Sequence, residues 1–196
     1  MARIILLRHG KAEMPSIDCS DLDRPLNARG TQNAAAIGKF LASHKLLPEL
    51  VLVSPARRTL QTCDQVNQEW QDRIPVRLVD SLYEASAQTV LSAIFDNAGD
   101  CRSVMVIGHN PSLVALLNHL TSNQSGAFNT TIFPTCTLAD IGFEAAHIAD
   151  IDSEHEHQVH HQQKNWNPQP ATQYQAIHLI RHGLADPPLF AGDSLG

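Results

Sequence analysis

Short apolar runs and longer stretches of helical spacing alternate through the first two-thirds of the chain, and no other feature of the sequence restricts its fold as much. Residues 2–7, dominated by Ile and Leu, read as a buried strand. A polar loop with Pro15, Asp18, Ser20, Asp21, Asp23 and Pro25 follows. Asn27 is a good N-cap for a helix that brings Ala34, Ile37, Phe40 and Leu41 to one side. The pattern then repeats. Strands are expected over residues 50–53, 76–79 and 103–107. Helices are expected after Ser54-Pro55 (with Leu60, Cys63 and Val66 on one face), over 87–95, and over 111–120 with Pro111 at the first helical position. Such an order predicts an α/β fold of three layers, a mostly parallel central sheet covered by helices on both faces.

Beyond Leu120 the pattern weakens. Residues 135–143 read as a strand and 175–180 as an edge strand, with a polar, histidine-rich loop over 144–172 between them. The 196 residues fit a single domain, 1–196, and 43% hydrophobic content is ample for its core. A net charge of −6 argues against nucleic acid and anionic membranes as partners. Cys19, Cys63, Cys101 and Cys136 are scattered without a C-x-x-C pair, which suits reduced thiols in a cytoplasmic protein. The first apolar run is too short for a signal peptide or a membrane span, so a soluble protein is expected.

In an open α/β sheet, ligands bind beyond the carboxyl ends of the strands. Arg8, His9 and Gly10 follow the first strand there, and Ser54, Arg57 and Arg58 follow the second. Glu84 lies after the third, and Gly108, His109 and Asn110 after the fourth. Guanidinium forks match phosphate oxygens, a neutral imidazole can attack phosphorus, and a carboxylic acid can protonate a leaving group. The set suits a phosphate monoester or a phosphoramidate.

Leu7-Arg8-His9-Gly10 resembles the R-H-G signature of the histidine phosphatases and phosphoglycerate mutases. Ser54-Pro55-x-x-Arg58-x-x-x-Thr62 is similar to that superfamily's second arginine motif, and Gly108-His109-Asn110-Pro111 to its second histidine motif. Asp21-x-Asp23-Arg24-Pro25-Leu26-Asn27-x-x-Gly30 and Leu82-Tyr83-Glu84-Ala85 resemble the SixA-type branch, the phosphohistidine phosphatases. The resemblance spans residues 2–120 and implies a phosphoglycerate-mutase-like fold. It implies His9 as the nucleophile, with a neighbouring backbone carbonyl fixing its tautomer. Gly10 would let the chain turn sharply beside the oxyanion. Arg8, Arg24, Arg58, His109 and Asn110 would hold the phosphoryl oxygens, His109 donating as charge builds. Glu84 matches the acid position and is the candidate proton donor, a loop ion pair being its alternative. Arg24, likewise, either grips phosphate or organises its loop with Asp23. Arg57 reads as a solvated helix residue. Neither a metal nor another cofactor is called for, since no acidic cluster demands one.

These residues predict a phosphatase that works through a phosphohistidine intermediate and acts on phosphohistidine carried by a protein, for example a histidine-containing phosphotransfer domain. The alternatives are a phosphatase of a small sugar or nucleotide-type phosphomonoester and a non-catalytic phosphate-binding module. Two features stand outside this reading. A second R-H-G at Arg181-His182-Gly183 has no arginine or histidine downstream and reads as the end of an edge strand. Glu154-His155-Glu156-His157-x-x-His160-His161 has imidazoles that could bind a metal, but its polar surroundings suit a solvated loop. His44, His119, His147, Trp70 and Trp166 read as structural.

Overall fold

The computed structural model describes residues 1–70, 73–121, 132–152 and 174–181. Its first elements are β1 (Ala2–Arg8), α1 (Ala28–Ser43), β2 (Leu50–Val53), α2 (Arg57–Asn67), β3 (Val76–Leu78) and a single 3-10 turn (Asp80–Leu82). Next come α3 (Ala87–Ala98), β4 (Ser103–Gly108), α4 (Ser112–Thr121), β5 (Thr137–Phe143), α5 (Ile148–Asp152) and β6 (Tyr174–Arg181). All six strands form one sheet in the order β3-β2-β4-β1-β5-β6. The first four run parallel, β5 is antiparallel to β1, and β6 is antiparallel to β5 at the edge.

The apolar run of β1 follows from its central place. Successive strand side chains point to opposite faces. Ile4 and Leu6 pack into a core with α3, α4 and α5, while Ile5 and Leu7 pack into another with α1 and α2. All four are fully buried, so neither face tolerates a polar residue. Arg3, at the opposite end of the strand from the histidine motif, donates from Nε and Nη2 to Asp140 of β5 at 3.1 and 2.7 Å. The expected helices therefore cover both faces.

Asn27 caps α1 as expected, its Oδ1 accepting from the Gly30 amide at 2.9 Å. Two boundaries differ from expectation. Pro111 stands one residue before α4 rather than within it, since the helix starts at Ser112. The start of the polar 144–172 stretch is not loop but α5, because Ile148 and Ile151 bury against the α3/α4 core. Residues 153–173, with the histidine-rich tract and Trp166, lie outside the described residues, as do His182 and Gly183 of the second R-H-G. Arg181 ends the edge strand β6, as read from the sequence. No helix among the described residues is long and apolar enough to cross a membrane.

Candidate active site

Strand register assembles the site. Ile107 of β4 pairs with Val53 of β2 on one side and with Leu7 of β1 on the other, and Arg8 pairs with Gly108 one step on. The strands then end, and Ser54, His109 and His9 leave them side by side. Adjacent β1 and β4 are followed by helices on opposite faces, α1 on one and α4 on the other, so the chain parts between them and leaves a crevice. A cavity of about 270 Å³ opens there, lined by Arg8, His9, Lys11, Ala12, Arg24, Arg58, His109, Asn110 and Thr135.

His9 is buried, and its Nδ1 lies 2.7 Å from the carbonyl oxygen of Gly10. A carbonyl only accepts, so Nδ1 carries the proton and Nε2 keeps its lone pair. Burial first, then His109, Arg58 and Arg8, pull its pKa down to about 3, although the bond to Gly10 acts in the other direction. At neutral pH His9 is an uncharged base. Its backbone is fixed from two sides. The Gly10 amide donates to Thr62 Oγ1 at 3.0 Å, and the Cys136 amide bridges the carbonyls of Arg8 and His9 at 3.1 Å each. Thr62 and Arg58 lie four residues apart on one face of α2, so the helix that presents the arginine also anchors the histidine loop. Gly10 is required for contact. A Cβ there would stand 2.8 Å from the Gly30 carbonyl oxygen, and one on Gly30 would meet the Lys11 carbonyl at 2.1 Å. The φ of Gly10 is not among the positive ones, so it is this contact and not a left-handed backbone that excludes a side chain there.

His109 lies with its ring centroid 5.2 Å from that of His9. Its Nδ1 is 3.4 Å from Arg58 Nη2, which can only donate. The proton is therefore on Nε2 and is given to Ser54 Oγ at 2.7 Å. Burial and then Arg58 lower its pKa to about 4, with Asp21 opposing.

Arg58 is buried at the start of α2, where the helix dipole disfavours a cation. Local preference yields here to the site. Arg8 Nη1 donates to the Phe133 carbonyl at 2.8 Å, and Asn110 Nδ2 donates to the same oxygen at 2.9 Å. The Nε atoms of Arg8 and Arg58 are buried without a hydrogen-bond partner, as is Asn110 Oδ1. A cavity lined by four cationic side chains, Arg8, Lys11, Arg24 and Arg58, forms an anion site.

Of the residues singled out from the sequence, Arg8, His9, Arg24, Arg58, His109 and Asn110 are brought together in this lining. Arg57 is exposed, as expected. Glu84 is exposed and not in the lining; it adopts φ 53, a conformation that costs a non-glycine residue roughly 1–3 kcal/mol. Lys11 and Thr135 line the cavity without having been singled out, and Phe133 ties Arg8 to Asn110. Lys11 could have been found from its place after the R-H-G tripeptide. Thr135 and Phe133 carry no signal, because the segment ahead of β5 reaches the site only through pairing with β1. Among the described residues, no group of three or more His, Cys, Asp or Glu is placed to hold a metal ion.

The family model of the histidine phosphatase superfamily (branch 1) matches residues 4–90. An uncharacterized protein of Mycobacterium tuberculosis is 31% identical over 151 residues, 74% of this chain and 92% of that protein. The phosphohistidine phosphatase SixA of Escherichia coli is 28% identical over 144 residues, 71% of this chain and 88% of its own. Among solved structures, that of a candidate phosphohistidine phosphatase SixA from Agrobacterium tumefaciens superposes with a TM-score of 0.65 at 33% identity, covering 71% of this chain and 90% of that one.

Proposed function

Since the chain belongs to the histidine phosphatase superfamily and is a phosphatase, we propose that it removes phosphate from phosphohistidine on a protein, through a phosphohistidine formed on its own His9. The observation that carries this reading is the tautomer of His9. The Nδ1 proton is committed to Gly10, which leaves a neutral Nε2 as nucleophile in a cation-lined cavity.

His9 Nε2 attacks phosphorus in line as the bond from phosphorus to the substrate imidazole breaks, and the departing nitrogen takes up a proton. Water then attacks the phosphorus on His9, loses a proton, and inorganic phosphate leaves with His9 restored. Arg8, Arg24 and Arg58, which line the cavity, neutralise the phosphoryl oxygens. Asn110 is held beside them by Phe133. His109 takes up a proton at Nδ1 as the dianion arrives, donates it to a phosphoryl oxygen, and keeps its Nε2 bond to Ser54.

A protein substrate is supported by the loop that supplies Lys11, Ala12 and Arg24. It exposes Met14 (76%), Ile17 (101%) and Leu22 (39%), apolar side chains that a small phosphate ester would not use. Glu84 serves as proton donor only where the leaving group is an alkoxide. Its exposed position outside the lining accords with a substrate whose imidazole departs without such help. Four free cysteines support a reducing, cytoplasmic setting.

The test is phosphate release from a phosphohistidine-bearing protein and from a panel of phosphomonoesters, with the intact protein and with His9→Ala. Release from phosphohistidine is expected to be the faster, and to fall roughly 10⁴-fold or more in His9→Ala. Acid-labile phosphate should appear on His9 during turnover. Release from small esters alone would move the substrate to a phosphomonoester. If nothing is hydrolysed and His9 is never labelled, the catalytic reading fails in favour of phosphate binding.

A further inference from the structure

Asp21, on the exposed loop between β1 and α1, has no part in the chemistry above, yet both rim and floor converge on it. Its Oδ1 accepts from Nε and Nη2 of Arg24, at 3.1 and 2.6 Å. Its Oδ2 accepts from Arg58 Nη2 at 2.9 Å and from the Tyr83 hydroxyl at 3.1 Å. Its backbone carbonyl accepts from Arg58 Nη1. Tyr83 in turn packs edge-on against His109, with ring centroids 5.8 Å apart. The Asp21 carboxyl is pulled down to about 2, chiefly by its bonds to Arg24, so at working pH it is a carboxylate with no proton to give.

We propose that Asp21 is a positioning residue, which fixes the Nη end of Arg58 and the fork of Arg24 so that both guanidinium groups keep their place in the cavity lining for the phosphoryl group. The inference rests on the reading of His9 as nucleophile. Arg8 shows the same arrangement independently. Its Nη1 is bound to a protein acceptor, Phe133. In each arginine one end is fastened to the protein. For Arg58 the fastening also counters charge. The guanidinium is buried at a helix N-terminus and shares its cavity with Arg8, Lys11 and Arg24, and Asp21 is the carboxylate that binds it. Because phosphoryl transfer depends on placement, a guanidinium released by about an ångström loses most where the transition state is most demanding.

Asp21→Asn, Tyr83→Phe and the double variant separate this role from that of a loop staple. Asp21→Asn keeps the shape of the side chain, and Tyr83→Phe removes one hydroxyl. Three quantities are measured: turnover of a phosphohistidine-bearing protein, binding of metavanadate and of inorganic phosphate, and Tm. Asp21→Asn should lower kcat roughly 10- to 100-fold, with KM and phosphate affinity held within about threefold. Metavanadate, which takes up the in-line geometry, should weaken in step with kcat. A smaller loss in Tyr83→Phe should vanish in the Asp21→Asn background, because both act through one carboxylate. Unchanged kcat and metavanadate affinity with a lowered Tm would make the ion pairs a staple and overturn the proposal. So would faster turnover with tighter phosphate binding, since Asp21 would then compete with substrate for the arginines. If the intact protein hydrolyses neither phosphohistidine nor any phosphomonoester and His9 is never labelled, the reading of His9 fails, and metavanadate against phosphate still decides on Asp21.

Discussion

His9, His109 and Ser54, on the floor of the cavity, are each no more than 8% exposed, whereas residues 13–23 of the adjoining loop are all exposed except the half-buried Cys19. The floor is held by strand ends and backbone hydrogen bonds, and its two imidazoles are kept neutral by burial. The rim is held by ion pairs, with Asp21 bonded to both Arg24 and Arg58. The difference teaches which property each part needs. The proposed nucleophile needs an unprotonated nitrogen in a fixed direction, which desolvation and a committed Nδ1 proton provide. A grip on a dianion needs cationic donors that reach the substrate, which an exposed loop can present.

Arg58 belongs to both regions, since it is buried yet bonded to the rim. Arg58→Ala should therefore show the largest effect of those that probe this division, a fall in kcat of roughly 10²- to 10³-fold, as for loss of a preorganised oxyanion donor. The measurement is steady-state turnover of phosphohistidine protein beside Tm. A loss confined to KM would mean that Arg58 serves binding alone and belongs with the rim.

The acid limb of kcat/KM, corrected for substrate ionisation, tests the neutrality of the floor. With His9 at about 3 and His109 at about 4, both below the ordinary 6.5, the limb should fall below pH 5. A limb near 6.5 would mean that burial does not set the state of the nucleophile. Stability should move the same way. The unfolded chain gains protons on these histidines as pH drops through about 6.5 while the folded chain does not, so Tm should decline from there toward pH 4.

Glu84→Gln should give the smallest effect, less than about threefold on phosphohistidine, and a larger one on alkyl phosphates, whose alkoxide needs an acid. Equal losses on both would remove Glu84 from proton transfer and leave it as a residue of the rim.

The floor of the cavity is largely legible in the sequence. Its residues lie in motifs immediately beyond strands whose apolar runs are unmistakable, and strand ends in a parallel sheet share one rim. The rim is legible only in part. Asp21 opens the motif that holds Arg24, but no periodicity shows which of Asp18, Asp21 and Asp23 reaches two arginines at once. Segments after Leu120 are least legible. Ile148 and Ile151 form a short helix whose burial depends on a core assembled from α3 and α4.

By itself the sequence determined the alternating fold, the burial of β1, and the residue types at four strand ends. Those follow from local periodicity and from chain order, which need no partner to be known. Only the tertiary structure decided which histidine nitrogen is free, which guanidinium atoms remain unpaired, that Gly10 is required by Gly30, and that Phe133 and Asp21 hold the arginines. Each of these is a contact between segments distant along the chain. Its existence rests on register and close packing, and neither is written in any one stretch of sequence.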